Sequence, residues 1–350
     1  MVQIGLMETL HVNKNMKNIL IVNPGSTGNK YTIFNNNGDK ISHYYFKNNE
    51  SKKELSFLDS QKNISKIGIR VVHGGETNKP VKIDGNVKKI IEKYSIFAPI
   101  HNTKALLSIK ILEKVFKRVP IFACFDTEFH TTIPNYLNQY MIKKDLVEKY
   151  NIKKYGFHGL ALESVIEKIS KQKSVPKNLI SIHLGGGASI TGIKNKKSFV
   201  TTMELTPLSG IPMTTRSGNI DPGIFYVLEK AHKMKIDKIT NILNNESGFL
   251  GMCKTKDTKK IMDLAEKGHK NEKLAFDIFV SEIVQKIYGF YGLMGKLDAI
   301  SFSGGIGFGN SYLRKSILNK IKNLNIKKEN IFIIDTDEES VIFSKIKKLK

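Results

Sequence analysis

The chain is poor in cysteine, proline and arginine and has no long apolar run, and each scarcity removes a class of protein. Two cysteines, Cys124 and Cys253, cannot build a disulfide framework and fit a reducing compartment, so a cytoplasmic location is expected. Nine prolines against 27 glycines, without a short period, exclude collagen-like and Pro-rich disordered chains. No apolar stretch approaches the roughly 18 residues of a membrane-spanning helix, so no membrane partner is expected. The HxxxH and CxxC spacings of zinc sites are absent. Residues 1–17 lack the apolar core and small-residue cleavage site of a signal peptide and have no arginine for a transit peptide. They read as an N-terminal extension without a structural role.

Only four arginines occur (Arg70, Arg118, Arg216 and Arg314), so lysine supplies nearly all of the formal net charge of +24. The lysines are spread along the chain, without an Arg-rich helix or an aromatic-basic interleave. A solvated lysine coat is therefore expected and nucleic acid is not. What remains is an ordinary globular composition: 350 residues, 40% apolar, with a mean hydropathy of −0.24. That length predicts two domains, each burying its own core.

Apolar runs of β type at 19–22, 30–34, 67–72, 121–125, 179–184, 189–193, 299–302 and 331–334 predict strands. Helical spacing predicts helices at 103–116, 159–169, 221–231, 257–265, 272–293 and 311–321, and a last one from Asp337. The alternation argues for α/β layers. One pattern occurs twice. Residues 20–33 form a strand, a turn of small residues (Asn-Pro-Gly-Ser-Thr-Gly) and a strand, and residues 181–193 repeat the plan around Leu-Gly-Gly-Gly-Ala. Glycine permits close backbone approach and positive φ, so such turns can aim N–H groups at phosphate oxygens. The pair suggests a duplicated domain with nucleotide between its halves. The first turn is not a P-loop, because Lys30 follows Asn29 and enters a β-type run instead of a helix.

Polar residues stand inside apolar, turn-rich segments at five further places. These are Arg-Val-Val-His-Gly-Gly-Glu (70–76), Ala-Pro-Ile-His-Asn (98–102), Phe-Asp-Thr-Glu-Phe-His (125–130), Tyr-Gly-Phe-His-Gly (155–159) and Thr-Thr-Arg-Ser-Gly-Asn-Ile-Asp-Pro (214–222). Alone, each histidine reads as a satisfied core or turn histidine, and each arginine as half of a structural ion pair. Two of four arginines in such segments, in a lysine-rich chain, tip the balance, because only guanidinium offers a planar two-pronged grip on phosphoryl or carboxylate groups.

These segments, with Val-Asn-Pro-Gly-Ser (22–26), His-Leu-Gly-Gly-Gly (183–187) and Ser-Gly-Gly-Ile-Gly (303–307), resemble in order the motifs of the acetokinase family, which includes acetate, propionate and butyrate kinases. The resemblance runs from about Asn18 to the C-terminus. It implies an α/β fold of duplicated actin-like ATPase (ribonuclease H-like) domains with an active-site cleft between them: 18–128 plus 338–350 as the N-terminal domain, 129–337 as the C-terminal, nucleotide-binding domain. It implies a cytoplasmic homodimer that interconverts ATP plus acetate with ADP plus acetyl phosphate, with magnesium as cofactor and manganese as the alternative ion. By the same resemblance Asn23 and Glu338 bind the metal, Lys30 contacts ATP, and Arg70 binds the substrate carboxylate. Asp126 is the active-site aspartate, and His158 and Arg216 stabilise the transition state. Val72, Ile100, Phe157 and Pro207 form the small pocket for the acyl methyl. His183, Leu184, Gly185, Gly186 and Gly187 match the phosphate-binding loop. Asp257, Thr258 and Lys259, with Gly305, Ile306, Gly307, Phe308 and Gly309, fall where the family grips the nucleotide.

The nucleotide side departs most from the family pattern. Gly28 and Asn29 replace a small polar and an apolar residue, Gly186 stands where asparagine is usual, Phe308 and Gly309 replace Glu-Asn, and Lys259 replaces an arginine. The alternatives left open are propionate or butyrate kinase activity, another phosphoryl donor, and a catalytically weakened nucleotide-sensing relative. A carboxylate is already ionised at pH 7, so Asp126 is expected to position magnesium, Arg70 or a water and not to act as a base. Removing Arg70 or Arg216 is expected to lower turnover by orders of magnitude with the fold intact.

Overall fold

A computed structural model describes residues 17–25 and 27–349; the supposed extension, Lys17 apart, lies outside the described residues. Eleven strands among them form two sheets. The first contains β1 (Asn18–Pro24), β2 (Gly28–Phe34), β3 (Lys40–Lys47), β4 (Ile64–Val71), β5 (Val81–Lys82) and β6 (Ile121–Phe125), in the order β3-β2-β1-β4-β6-β5. The second contains β7 (Asn178–Leu184), β8 (Ala188–Lys194), β9 (Lys197–Thr201), β10 (Ala299–Ser303) and β11 (Ile331–Ile334), in the order β11-β10-β7-β8-β9. In the first sheet β1, β2 and β3 form an antiparallel meander, and β4 and β6 then run parallel to β1. The second sheet repeats this with β7, β8 and β9 as the meander and β10 and β11 as the parallel strands. This is the duplicated actin-like arrangement, and each paired Gly-rich turn joins the first two strands of its sheet.

The central strands are buried along almost their whole length because helices cover both faces. The helix Glu338–Ile346 returns from the end of the chain to the first sheet, where Ile342 and Ile346 lie so close to Gly68 that a Cβ there would stand 2.6 and 2.7 Å from them. Lys345 on this helix ion-pairs with Glu128 (2.9 Å) and with Glu163 (2.6 Å) of the helix Gly159–Ser170. Among the described residues no helix is long and apolar enough to cross a membrane. Cys124 and Cys253 are free thiols.

The Gly-rich turns hold one surprise. Gly25, Gly28, Gly185, Gly186 and Gly187 all lack positive φ. Glycine serves close approach here: a Cβ on Gly28 would lie 2.3 Å from the Phe46 carbonyl oxygen, and one on Gly187 would lie 3.1 Å from His158 Nε2.

Candidate active site

The chemistry-bearing residues sit at the carboxyl ends of parallel strands, where open α/β sheets place their ligands. Asn23 is near the end of β1, Arg70 near the end of β4, and Asp126 directly follows β6. From the second sheet come His183, near the end of β7, and Ser303, which ends β10. Glu338 enters as the first residue of the last helix.

Arg70 organises the first half. Its Nε donates to both Asp126 oxygens (3.1 Å each), and Nη2 donates to Oδ2 (2.6 Å). Nη1 donates to Asn23 Oδ1 (3.1 Å) and lies 3.4 Å from Glu338. Asn23 Nδ2 in turn donates to Glu338 (3.0 Å) and Glu339 (2.8 Å). Asp126 is 1% exposed. Burial pulls its carboxyl above the ordinary range against the opposing pull of Arg70. Burial also works to raise Glu338, but Arg70, His183, Asn23 and Lys30 outweigh it and hold that carboxyl low. Lys30 thus acts on the same cluster from β2.

His158 links the halves. It caps the helix Gly159–Ser170 with φ at 64°, a left-handed conformation rare outside glycine. The Gly159 N–H holds it there by donating to the Asp126 carbonyl (2.9 Å), and a Cβ on Gly159 would lie 2.3 Å from that oxygen. His158 Nδ1 meets Ser189 Oγ (3.0 Å), and its ring stands 4.7 Å from that of His183, whose Nδ1 meets Ser303 Oγ (3.1 Å). On the side of its Nε2 lies Gly187, and Arg216 Nη1 approaches the same glycine at 3.5 Å from a Cβ built there.

Arg216 differs from Arg70 in having no carboxylate partner among the described residues. Its Nη1 contacts the Pro207 carbonyl oxygen (3.3 Å) and Met213 Sδ (3.7 Å), and burial lowers its pKa. Backbone bonds fix its loop: Phe249 to Met213, Leu250 to Thr214 and Ser247 to Thr215. Gly248 (φ 59°) is required there, since a Cβ would fall 2.0 Å from the Met213 oxygen.

Val72 and Phe157 are buried in one apolar cluster with Ala98, Met203 and Met213, across the junction of the halves. Pro207 is half-buried beside Arg216, whereas Ile100 is 51% exposed. Among the residues expected to grip the nucleotide, Gly304 starts a short helix against Leu184, and Arg314 Nη1 donates to the Gly307 and Phe308 carbonyls. Gly305, Ile306, Gly307 and Gly309 belong to that helix, and Phe308 is 44% exposed. Gly185 N–H donates to Gly187 O across the second turn, and a side chain on Gly186 would meet open space. The Asp257 carboxylate caps the helix Thr258–Glu266 by accepting from Lys260 N–H. Asp257 and Lys259 are exposed and Thr258 half-buried.

Sequence reasoning left out His101 and His73. His101 lies where the fields of Arg216 and Arg70 both reach it, after burial as the main cause of its low pKa. His73 is fully buried, its Nδ1 accepting from Gly75 N–H, among the rings of Tyr94, Phe97, Tyr155 and Phe157. The His-Gly-Gly and Ile-His-Asn strings were visible signals, but not which charges would surround them. His130 meets the bland reading: both its ring nitrogens are used, on Ser198 Oγ and the Phe157 carbonyl.

Burial pushes His73 and His101 down to about 3 and His130 to about 4, and His158 is held well below the ordinary value by burial, His183 and the two arginines. All these folded values lie below the unfolded value near 6.5. As pH falls through about 6.5, the unfolded chain takes up protons that the native chain refuses. Stability present above 6.5 is therefore lost toward about 4, at roughly 1.4 kcal/mol per pH unit for each such group. Denaturation midpoints from pH 8 to 5 should drop steeply below 6.5; a flat profile would contradict four neutral histidines.

Known proteins resemble this chain in sequence and in fold. The chain is 35% identical to an acetate kinase of Francisella tularensis subsp. holarctica, covering 93% of this chain and 98% of that one. It is 40% identical to an acetate kinase of Mesoplasma florum over 79% of this chain and 71% of that one. A solved propionate kinase of Francisella tularensis subsp. tularensis superposes with a TM-score of 0.85 at 34% identity, over 93% of this chain and 98% of that one. The acetate kinase of Porphyromonas gingivalis gives 0.83 at 26% identity, over 95% and 100%. The family model described as "Acetokinase family" matches residues 4–349, and the chain belongs to that family.

Proposed function

We propose that this protein is a carboxylate kinase that transfers the γ-phosphoryl group of ATP to acetate, giving acetyl phosphate and ADP. What supports the reading most is that His158 Nε2 and Arg216 Nη1 both stand against Gly187 of the second Gly-rich turn, while Arg70 is near enough for its field to act on His158 and His183. Nucleophile and target are both anionic, so the task is to offset repulsion and align atoms. Arg70, fixed by Asp126, presents its guanidinium edge to the acetate carboxylate, and the methyl enters the apolar seam of Val72 and Phe157 beside Pro207. A carboxylate oxygen attacks the γ-phosphorus, and the bond to the ADP oxygen breaks. Acid and leaving group are both ionised, so no proton has to move. Arg216 and His158 Nε2–H, with Ser189 Oγ donating to Nδ1, stabilise the equatorial oxygens; Asp126 orients Arg70 and is not a base. His183 to Gly187, Lys30, Asp257–Lys259 and Gly305–Gly309 form the nucleotide side.

Asn23 and Glu338 supply hard oxygen donors, which suits magnesium or manganese held mainly by substrate phosphates and water. Among the described residues no group of three acidic, histidine or cysteine side chains makes a self-contained metal cage. The ion, when bound, neutralises charge on the phosphates.

Ile100, 51% exposed and two residues beyond Ala98 of the cluster that holds Val72 and Phe157, supports a second reading in which propionate or butyrate is also taken. One methylene in such a pocket changes discrimination by only about 1–3 kcal/mol. Trapping acyl phosphate with hydroxylamine, using acetate, propionate and butyrate with several donors, tests both readings. Acetyl hydroxamate formed with ATP supports the first, a preference for a longer acid the second, and no hydroxamate at all overturns the kinase.

The helix Gly223–His232 buries no residue and exposes Ile224, Tyr226 and Val227. We assign this apolar face to a homodimer contact. Tyr226→Asp with Val227→Asp should then give a monomer by sedimentation, and a monomeric wild type would refute the assignment. Two unpaired thiols support a cytoplasmic location.

A further inference from the structure

Among the described residues of the turn joining β1 and β2, Gly25 N–H donates to Gly28 O (2.8 Å), and two residues of the turn are glycine, the residue with most conformational freedom to lose. Side chains from elsewhere in the first half also hold it. Lys104, in the second turn of the helix Pro99–Val115, donates from Nζ to the Gly25 carbonyl oxygen and to Asn48 Oδ1. The Asn48 N–H donates to Thr27 O (3.2 Å), and Tyr45 OH donates to Thr27 Oγ1 (3.0 Å). The Tyr45 ring seats directly on Gly28, 2.7 Å from where a Cβ would be.

The register shows what this brace serves. Lys30 of β2 stands opposite Asn23 of β1 and opposite Tyr45 of β3, so the three form a row on one sheet face. On the other face Asn29 and Tyr31 both donate to the buried Glu54 carboxylate. The turn is thereby fixed between Asn23 and Lys30. Lys104 lies three residues beyond His101, on the same side of its helix, so one ammonium ties the helix whose His101 feels both arginines to the first Gly-rich turn.

We propose that Lys104 is a positioning residue for the metal–nucleotide phosphates, an inference that rests on the kinase reading above. It keeps the Gly25 carbonyl oxygen turned toward a cation and away from an incoming phosphate, and it fixes the spacing of Asn23 and Lys30. Its action is on the phosphate side, not on the acyl pocket.

The test compares wild type with Lys104→Met, Lys104→Arg and Tyr45→Phe. The readouts are MgADP affinity by calorimetry, KM for MgATP and for acetate, and melting temperature. Lys104→Met, which keeps the stem and loses the charge-assisted bonds, should weaken MgADP binding and raise the MgATP KM by about tenfold or more. The acetate KM and melting temperature should stay near wild type. Lys104→Arg should recover most of the loss, and Tyr45→Phe should show a smaller shift in the same direction. Unchanged MgADP affinity in Lys104→Met overturns the inference, as does a parallel rise of both KM values with a falling melting temperature, the mark of a merely structural lysine. A wild type that binds MgADP but makes no acyl phosphate removes the kinase reading alone, and the Kd ratio still decides for Lys104. A wild type that does not bind MgADP removes both.

Discussion

Replacing Arg70 by alanine is expected to remove both turnover and a large share of stability. Three N–H bonds to Asp126 vanish, together with the one to Asn23 and the ion pair to Glu338. Asp126, 1% exposed in the wild type, is then left with no countercharge, in the field of Glu338 and Glu163. Removing one partner of a buried pair costs about 3–5 kcal/mol, because the other charge is left stranded. Turnover should fall by roughly a thousandfold, the scale for losing a preorganised donor at the reacting group. The stability loss has a pH signature. Stranded Asp126 has a folded pKa above its unfolded value near 3.9, so its contribution to stability is lost as pH rises through the folded pKa. The difference between variant and wild type should therefore be smaller at pH 5 than at pH 8, and the rise of His101 and His158 on losing the Arg70 field shifts it the same way. Arg70→Ala combined with Asp126→Ala should regain stability but not turnover. A single variant as stable as wild type would show that the pair carries no such weight.

The sequence alone points to an activity cost for Arg70 but not to this stability cost, and the reason is physical. Arg70 and Asp126 are 56 residues apart, on strands that become neighbours only when β4 and β6 pair. A motif shows that a guanidinium is present, not which charge locks it. The strands β1, β4, β6 and β7 were legible because their centres are buried, mostly apolar runs. The strand β3 was not, because Lys40–Lys47 is mostly exposed and lies at a sheet edge. The helix Ser51–Ser60 was also missed, since it buries only Glu54 and Leu58, too little for an amphipathic stripe. Glu54 is a polar anchor that hydrophobic periodicity counts as surface. The Gly-rich turns were legible as turns, but their glycines were expected to supply positive φ as well as close approach, and only the latter operates. Lys104 looked like one lysine of a solvated coat until the fold set its ammonium against a carbonyl 79 residues away.

Arg216→Ala should separate activity from stability in the opposite way. This guanidinium is largely buried, has no carboxylate partner among the described residues, and donates from Nη1 to a carbonyl oxygen at 3.3 Å and a thioether at 3.7 Å. Its desolvation is poorly compensated, which is why burial lowers its pKa. The loop that carries it stands on backbone bonds to residues 247–250 and on Gly248, none of which involves the side chain. Deleting the guanidinium therefore removes a strained cation from a scaffold that does not need it. The melting temperature should hold or rise, while turnover falls roughly a thousandfold for want of a donor at the transferring group. Arg216→Lys should not rescue turnover, since a point charge lacks the two-pronged geometry. A second readout follows from the field: Arg216 depresses the pKa of both His101 and His158. In Arg216→Ala both imidazoles should titrate at higher pH than in wild type, measurable by NMR of the ring protons. A melting temperature that falls as far as that of Arg70→Ala, or imidazoles that do not move, would mean that Arg216 is a structural residue and that no guanidinium from the second half waits for the phosphoryl group.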